Sequence, residues 1–135
     1  MKKIALLILP WLIFSSLLLA ACGPGAANAN GVTQEQSQQT ARDYVTSSPT
    51  YTFDGMADTL KLAGGKATSD STSYTFTYEF ESRHAGYGDR TGQALAQVIT
   101  SHAAVITVEN GSVISAVMDS TWDMQAQAMY SPDAR

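Results

Sequence analysis

The sequence predicts an α+β domain in which one N-terminal helix packs on a four- to five-stranded antiparallel sheet. Three local patterns support this fold class. A capping box at 33–36 precedes a modest apolar stripe, four aromatic residues alternate with polar ones between 73 and 82, and Asn110-Gly111 separates two runs rich in β-branched residues. The chain has 135 residues, which is enough for one domain of this kind.

The first residues are typical of a bacterial export signal. A short positive region at 1–3 is followed by a mostly apolar run at 4–19, and Leu19-Ala20-Ala21-Cys22 resembles the lipobox of bacterial lipoproteins. The resemblance implies cleavage before Cys22 and lipidation of Cys22, the only cysteine of the chain. An uncleaved transmembrane helix and an ordinary signal peptide are the alternatives, because the apolar run is close to the shortest segment that spans a membrane.

The lipobox divides the chain into four parts. We predict a lipoprotein signal peptide at 1–21, a flexible tether at 22–32, a single α+β domain at 33–130 and a frayed tail at 131–135. Cleavage would remove two lysines and take the net charge from −4 to −6. Such an acidic domain argues against a nucleic-acid partner, and with Cys22 lipidated no thiol remains for a disulfide, a thiolate metal site or a cysteine nucleophile.

The first half of the domain is predicted to contain one helix and several short extended pieces. We expect the helix at 33–47, because Ser48-Pro49 forces extended backbone before the proline. A short strand at 50–53 and a second extended piece at 59–62 should follow, and then a polar loop from 64 to 73.

The strand at 73–82 has the clearest pattern. Its aromatic residues share one face and alternate with threonine and glutamate on the other: Tyr74, Phe76, Tyr78 and Phe80. We predict that this face belongs to the core, since aromatic side chains supply the largest burial area of a small domain. An exposed aromatic platform for a sugar or a peptide is the alternative.

The second half is predicted to be a strand, a hairpin and a terminal helix. The strand is expected at 94–100, with a bend or bulge at Ser101-His102, and the hairpin at 103–120. A two-residue Asn110-Gly111 turn would place Val108 opposite Val113, Ile106 opposite Ser115 and Ala104 opposite Val117. Both faces of this hairpin are apolar, so we expect both to be covered, one by the helix and the other partly by Trp122, Met124 and the tail. A short helix is expected at 122–129.

The loop from 82 to 92 is the candidate interaction site. It lies between two predicted strands and contains three glycines together with five residues that we select as contact residues: Arg83, His84, Tyr87, Asp89 and Arg90. The alternative is a structural role. In that case the glycines permit a tight turn, Asp89 accepts from nearby backbone N–H groups, and the arginines pair with Glu79 or Glu81.

Metal binding and catalysis have weaker support. His84 and His102 are the only histidines and are weak candidates for metal ligands with a nearby aspartate, but they lack the spacing of known metal motifs, and we expect no cofactor. Ser82, Ser101 or Thr100 near a histidine suggests a hydrolase, but no GxSxG motif is present.

Two resemblances to known proteins bear on the fold and on export. The predicted outline is similar to that of cystatin-like and PepSY-like small exported domains. At the residue level, 80–124 resembles an uncharacterised family of small exported prokaryotic proteins through the segments SRHAGYGDRTGQ, AVITVENG, SAVMD and WDM. Relatives of that family have a Cys-x-x-Cys pair before the aromatic strand, whereas 66–74 has no cysteine here. The resemblance implies an exported single domain without redox or metal chemistry at that pair.

The sequence therefore predicts an exported lipoprotein, anchored on the extracytoplasmic side of a membrane, at the cell surface or in the periplasm. Its expected role is that of a binding or accessory module for an envelope or cell-surface protein or peptide. The alternative is an extracytoplasmic protein that binds a small ligand or a metal.

Overall fold

The computed structural model describes residues 31–68 and 73–132, and these form one helical layer on one antiparallel sheet. The predicted signal peptide, Cys22 and residues 133–135 of the predicted tail lie outside the described residues. The elements are α1 Gln34–Ser47, α2 Pro49–Asp54, a 3₁₀ turn Ala57–Thr59, β1 Lys61–Ala67, β2 Ser73–His84, β3 Gln97–Glu109, β4 Ser112–Met118, β5 Trp122–Asp123 and β6 Ala128–Met129.

The α+β class is confirmed, but the sheet has six strands rather than four or five. The strands follow one another across the sheet in chain order, from β1 at one edge to β6 at the other. No helix in 31–68 or 73–132 is long and apolar enough to cross a membrane.

Helix α1 begins and ends where the sequence predicts. The Thr33 hydroxyl accepts from the Gln36 amide at 3.2 Å, and the Gln36 side chain accepts from the Thr33 amide at 2.9 Å. This reciprocal pair satisfies two of the amides that a helix N-terminus leaves without partners. Ala41 and Val45 are fully buried on the face that packs on the sheet.

The predicted strand at 50–53 is wrong, because these residues belong to helix α2. Ser48 ends α1 and also caps α2, since its hydroxyl accepts from the Tyr51 amide at 3.4 Å. Pro49 occupies the first position of α2, where its fixed φ suits a helix and its missing N–H costs nothing. The same Ser-Pro pair therefore stops one helix and starts the next.

The four aromatic side chains of β2 form the centre of the core, as predicted. Tyr74, Phe76, Tyr78 and Phe80 are all at least 98% buried, beneath α1 and beside Ile106. The alternative of an exposed aromatic platform is wrong, because all four residues are buried.

Strands β1 and β3 differ from their predictions in extent. Residues 64–67, predicted as loop, belong to β1, which is exposed along its whole length. The bend predicted at Ser101-His102 is absent, since β3 continues through both residues. A register shift between β2 and β3 lies instead between Ser82 and His84.

The β3–β4 hairpin has the predicted turn but a shifted register. Asn110 and Gly111 have φ values of 50° and 81°, and Val108 lies opposite Val113. Beyond this pair a β-bulge shifts the register by one residue, so that Ile106 faces Ala116 instead of Ser115. Because a one-residue shift exchanges the two faces of a strand, the bulge places Ala116 and Met118 in the core. The facing pairs at Val117 and Ser115 that the sequence suggested are therefore wrong.

The expected cover on both faces of this hairpin is also wrong. Helix α1 covers one face, whereas Val105 and Ile114 are 40% and 49% exposed. Residues 122–129 form the β5–β6 pair instead of a terminal helix, and Trp122 and Met124 pack against the core on the helix side of the sheet. Among the residues that the structure describes, no layer therefore covers this second face of the sheet.

Gly65 and Gly64 provide a matched test of the packing between β1 and β2. A Cβ at Gly65 would lie 2.8 Å from the fully buried Phe76 ring, whereas a Cβ at Gly64 meets nothing within 4 Å. We expect Gly65→Ala to lower the free energy of unfolding by about 1–3 kcal/mol through overpacking. Gly64→Ala should leave it unchanged or raise it by up to about 1 kcal/mol. Urea denaturation of both variants measures this, and equal stabilities would show that β1 does not press on Phe76.

Candidate functional site

The loop that joins β2 to β3 is held from inside by Arg90. Its side chain is 3% exposed, and its guanidinium lies 2.7 Å from a carboxylate oxygen of Asp54 at the end of α2. The same group donates to the carbonyls of Ala85, at 3.1 Å, and Gly86, and its carbon lies 4.6 Å from the centroid of the Phe53 ring. The loop therefore wraps around one buried cation that several acceptors and an aromatic face surround.

Asp54 connects this cation to His84. Its second carboxylate oxygen lies 2.8 Å from Nδ1 of His84, and its side chain is 6% exposed. An isolated β-bridge between Gly55 and Ser82 brings the end of α2 to this place on β2. The predicted pairing of Arg90 with Glu79 or Glu81 is wrong, since Arg90 pairs with Asp54, and Glu79 pairs with Lys61 at 3.0 Å.

A second carboxylate, Asp119, organises the other side of the loop. One oxygen accepts from Nδ1 of His102 at 2.7 Å and from the Tyr87 hydroxyl at 3.1 Å, and the other accepts from the Ala103 amide at 2.6 Å. The Tyr87 ring stacks on Trp122, with the two centroids 5.4 Å apart. The candidate residue Tyr87 is therefore half-buried and already in contact with two parts of the fold.

Burial and hydrogen bonding shift two pKa values in this cluster. Burial tends to raise the pKa of Asp119, but hydrogen bonds from His102, the Ala103 amide and Tyr87, together with the charge of His102, outweigh it and lower the pKa. Burial is the main reason that the pKa of Tyr87 is raised. Asp119 is thus held as an acceptor and Tyr87 as a donor.

Ser82, His102 and Asp119 form a line that resembles a catalytic triad, but the arrangement does not suit hydrolysis. The Ser82 oxygen lies 3.1 Å from Nε2 of His102, while its hydroxyl proton is donated to the His84 carbonyl at 2.7 Å. A serine nucleophile must instead donate that proton to the histidine. Ser82 is also fully buried, so no substrate reaches it. These hydrogen bonds join β2 to β3 and serve the fold.

The two candidate metal ligands do not converge. His84 binds Asp54 and His102 binds Asp119, and the two histidines line different cavities. Within residues 31–68 and 73–132, no group of three or more histidine, cysteine, aspartate or glutamate side chains is placed to hold a metal ion.

Of the candidate contact residues, Arg83 and Asp89 are the exposed ones. Asp89 accepts from the hydroxyl and the amide of Thr91, at 2.6 and 2.9 Å, and these hydrogen bonds lower its pKa. The expectation that Asp89 accepts from a nearby backbone N–H is confirmed. Arg83 lines a groove at the end of the β2–β3 hairpin.

Exposed apolar residues at this hairpin end are a feature that no sequence pattern indicated. Val98 and Ile99, in β3, are 53% and 58% exposed. The groove beside them has a volume of about 280 Å³ and is lined by Met56, Arg83, His84, Gln97 and Ile99. We call the residues Met56, Arg83, Gln97, Val98 and Ile99 the hairpin-end surface.

A larger cleft, of about 580 Å³, lies elsewhere on the domain and is rich in carboxylates. Its acidic residues are Asp58, Glu79, Glu81 and Asp119, with Lys61 also on its wall. Two of these carboxylates already have partners. Glu79 pairs with Lys61, and Asp119 accepts a hydrogen bond from His102.

Comparison with known proteins adds no constraint on the site, since no protein-family model, curated protein or solved structure matches this chain.

Arg90 and Arg83 allow a matched test of the buried pair. Arg90→Ala leaves the Asp54 carboxylate buried beside His84 alone, so we expect a loss of about 3–5 kcal/mol in the free energy of unfolding. Arg83→Ala removes an exposed arginine from the same loop and should change it by less than about 0.5 kcal/mol. Urea denaturation measures both. Similar losses in the two variants would contradict the buried position of Arg90.

The lowered pKa of Asp119 predicts a pH dependence. Because its folded-state pKa lies below its ordinary value of 3.8, the ionised carboxylate contributes stability that is fully present above that value. The contribution is lost as the pH falls through the folded-state pKa. The stability difference between the wild type and Asp119→Asn should therefore be larger at neutral pH than near pH 3, as measured by urea denaturation at both. An equal difference at the two pH values would mean that Asp119 does not act through its charge.

Proposed function

We propose that the chain is an exported lipoprotein that binds a protein partner through its hairpin-end surface. In this proposal Cys22 carries the lipid, the tether at 22–32 separates the domain from the membrane, and the domain lies on the extracytoplasmic side, at the cell surface or in the periplasm. The lipobox pattern supports the anchor. The outline of one helix on an antiparallel sheet, shared with cystatin-like and PepSY-like exported domains, is compatible with export but gives no function.

The observation that carries the binding role is the exposure of Val98 and Ile99 in an uncharged part of the chain. Between Arg90 and Glu109 the sequence has no aspartate, glutamate, lysine or arginine. Depletion of charge together with exposed apolar residues is typical of the centre of a protein interface. The groove beside Ile99 adds a concave element, and Arg83 at its rim adds a residue type favoured in interfaces.

The rigidity of the loop also supports this role. Arg90 and Asp54 fix the loop that follows β2, and Asp119 fixes the sheet at Ala103. The hairpin-end surface lies between these two fixed points, so it is presented without a large cost in conformational entropy on binding. The candidate residues Arg90 and Tyr87 contribute to binding as supports, while Arg83 and the apolar residues of β3 make the contacts.

Binding of a small cationic ligand in the carboxylate-rich cleft is the second candidate. The concave shape and the acidic lining of this cleft favour it. A ligand site built on both histidines would need His84 and His102 in one pocket, together with Tyr87 and a carboxylate. His102 lines the carboxylate-rich cleft, whereas His84 lines the groove beside Ile99. We therefore rank it below protein binding.

Photo-crosslinking in membranes tests the proposal. A benzophenone amino acid at Ile99 of the full chain should give crosslinked protein products, whereas the same group at Ile114, which is about equally exposed, should give few or none. The Cys22→Ser variant should lose lipid labelling and be released from the membrane.

The two parts of the proposal fail separately. A wild-type chain without lipid label would contradict the anchor. Crosslinks that are equally abundant at Ile99 and Ile114, or absent from both, would contradict the hairpin-end surface as the binding site.

A further inference from the structure

His102 is a buried histidine whose two ring nitrogens both have hydrogen-bonding partners. The residue is 3% exposed, Nδ1 lies 2.7 Å from a carboxylate oxygen of Asp119, and Nε2 lies 3.1 Å from the Ser82 oxygen. A neutral imidazole has one N–H donor and one acceptor, whereas an imidazolium has two donors. The chemistry of the two partners therefore decides which form this arrangement holds.

The Ser82 hydroxyl can only accept from Nε2. It has a single proton, which it donates to the His84 carbonyl at 2.7 Å, because a carbonyl oxygen has no proton to give. Only the lone pairs of the Ser82 oxygen remain for the histidine. The hydrogen bond between Ser82 and His102 thus requires a proton on Nε2.

The Asp119 carboxylate can only accept from Nδ1. Its two oxygens accept from three donors, which are Nδ1 of His102, the Tyr87 hydroxyl at 3.1 Å and the Ala103 amide at 2.6 Å. Three donors favour the ionised carboxylate, and the lowered pKa of Asp119 agrees with this. Nδ1 therefore also carries a proton, so the network assigns His102 as an imidazolium.

The surroundings of His102 suit a charged ring. Asp119 supplies the opposite charge, which a buried ion requires. The rings of Phe80 and Tyr87 have centroids 5.2 and 5.6 Å from that of His102, within the range of about 6 Å over which an aromatic ring attracts a cation. The other charged and titratable groups nearby lie on the carboxylate-rich cleft or beyond Ser82: Asp58, Lys61, Glu79, Glu81, Asp54, His84 and Arg90.

Removal of one proton from His102 forces this network to rearrange. The carboxylate is a stronger acceptor than the hydroxyl, so the remaining proton stays on Nδ1. Nε2 then presents a lone pair to the Ser82 oxygen, and this contact is favourable only if Ser82 turns its hydroxyl proton from the His84 carbonyl to Nε2. The His84 carbonyl is left with the longer hydrogen bond from Arg90, at 3.4 Å.

We propose that His102 is a proton-operated switch that controls how firmly the β2–β3 loop is held at His84. With two ring protons, His102 keeps the Ser82 hydroxyl on the His84 carbonyl. With one ring proton, it draws the hydroxyl to itself and releases that carbonyl. The lost proton passes to water by way of Asp119, whose side chain is 24% exposed on the wall of the cleft. The loop is therefore held at lower pH and loosened as the pH rises.

The carbonyl that the switch releases lies beside the hairpin-end surface. Arg83, a residue of that surface, lies between Ser82 and His84, where the register of β2 shifts. Loosening the backbone there also loosens the position of Arg83 and should weaken binding through this surface. The switch itself does not require the proposed binding role, whereas this effect on binding rests on it.

NMR of the full chain in detergent micelles tests the switch, because the chain has only two histidines. Labelling histidine with ¹³C and ¹⁵N reports the ring nitrogens of His102 and the carbonyl carbon of His84 in one sample, and a His84→Gln variant identifies the signals of His102. The titration covers the range between about pH 5 and 8, in which histidine ordinarily changes charge. We expect neutral His102 to keep its proton on Nδ1, and the His84 carbonyl signal to shift upfield in step with the His102 nitrogens.

Two serine variants separate the switch from other effects of pH. Ser82→Ala removes the hydroxyl that links the two histidines. The part of the His84 carbonyl shift that follows His102 should then be lost, whereas any change caused by the His84 ring itself should remain. Ser101→Ala removes an exposed serine next to His102 and should leave the titration unchanged.

Each outcome supports or overturns the switch. A neutral His102 with its proton on Nε2 would overturn it, since Ser82 could then stay on the His84 carbonyl. A His102 ring with the same protonation throughout the titration would also overturn it, as would a carbonyl signal that does not follow His102 or that follows it equally in Ser82→Ala. If Ser82→Ala does not fold, the tautomer and the carbonyl signal of the wild type still decide. None of these results bears on the proposed function, because the measurement involves no partner.

Discussion

The buried contact between Arg90 and Asp54 is the constraint on which the hairpin end of this domain depends. It joins the end of α2 to the loop after β2, two places that are 36 residues apart in the chain. Arg90 is a costly group to bury, and the cost is offset because the carboxylate, several carbonyls and the Phe53 ring surround it. With the loop fixed in this way, the β2–β3 hairpin has a definite end rather than a variable one.

Local signals in the sequence were sufficient for part of the fold. The capping box at Thr33, the aromatic face of β2 and the Asn110-Gly111 turn each depend on residues close together in the chain, and each is confirmed. The bulge beside Val108 and the strand character of 122–129 depend on contacts with the core, which no local pattern contains. Helix α2 is intermediate, since the Ser-Pro pair signals the end of α1 in the sequence but does not by itself indicate that a second helix follows.

One candidate residue of the β2–β3 loop, Arg90, has a different partner from the one expected. The sequence predicts Glu79 or Glu81 as partners of the arginines. In the fold, Arg90 pairs instead with Asp54, which lies at the end of helix α2. The exposure of Val98 and Ile99 was not predictable either. An apolar, β-branched run is typical of a buried strand, whereas within the described residues β4 pairs with β3 only from Ala104 onward.

Asp119 links the interior to that uncovered edge. It accepts from His102, Tyr87 and the Ala103 amide, and its own amide donates to the Ala103 carbonyl, so one residue both completes the buried network and ends the β3–β4 pairing. Its positive φ of 53° turns the chain away from β3 at that point. A regular continuation of β4 would cover 97–101 and remove the exposed apolar edge. The turn at Asp119 is therefore the structural reason that this domain has an open edge in the middle of its sheet.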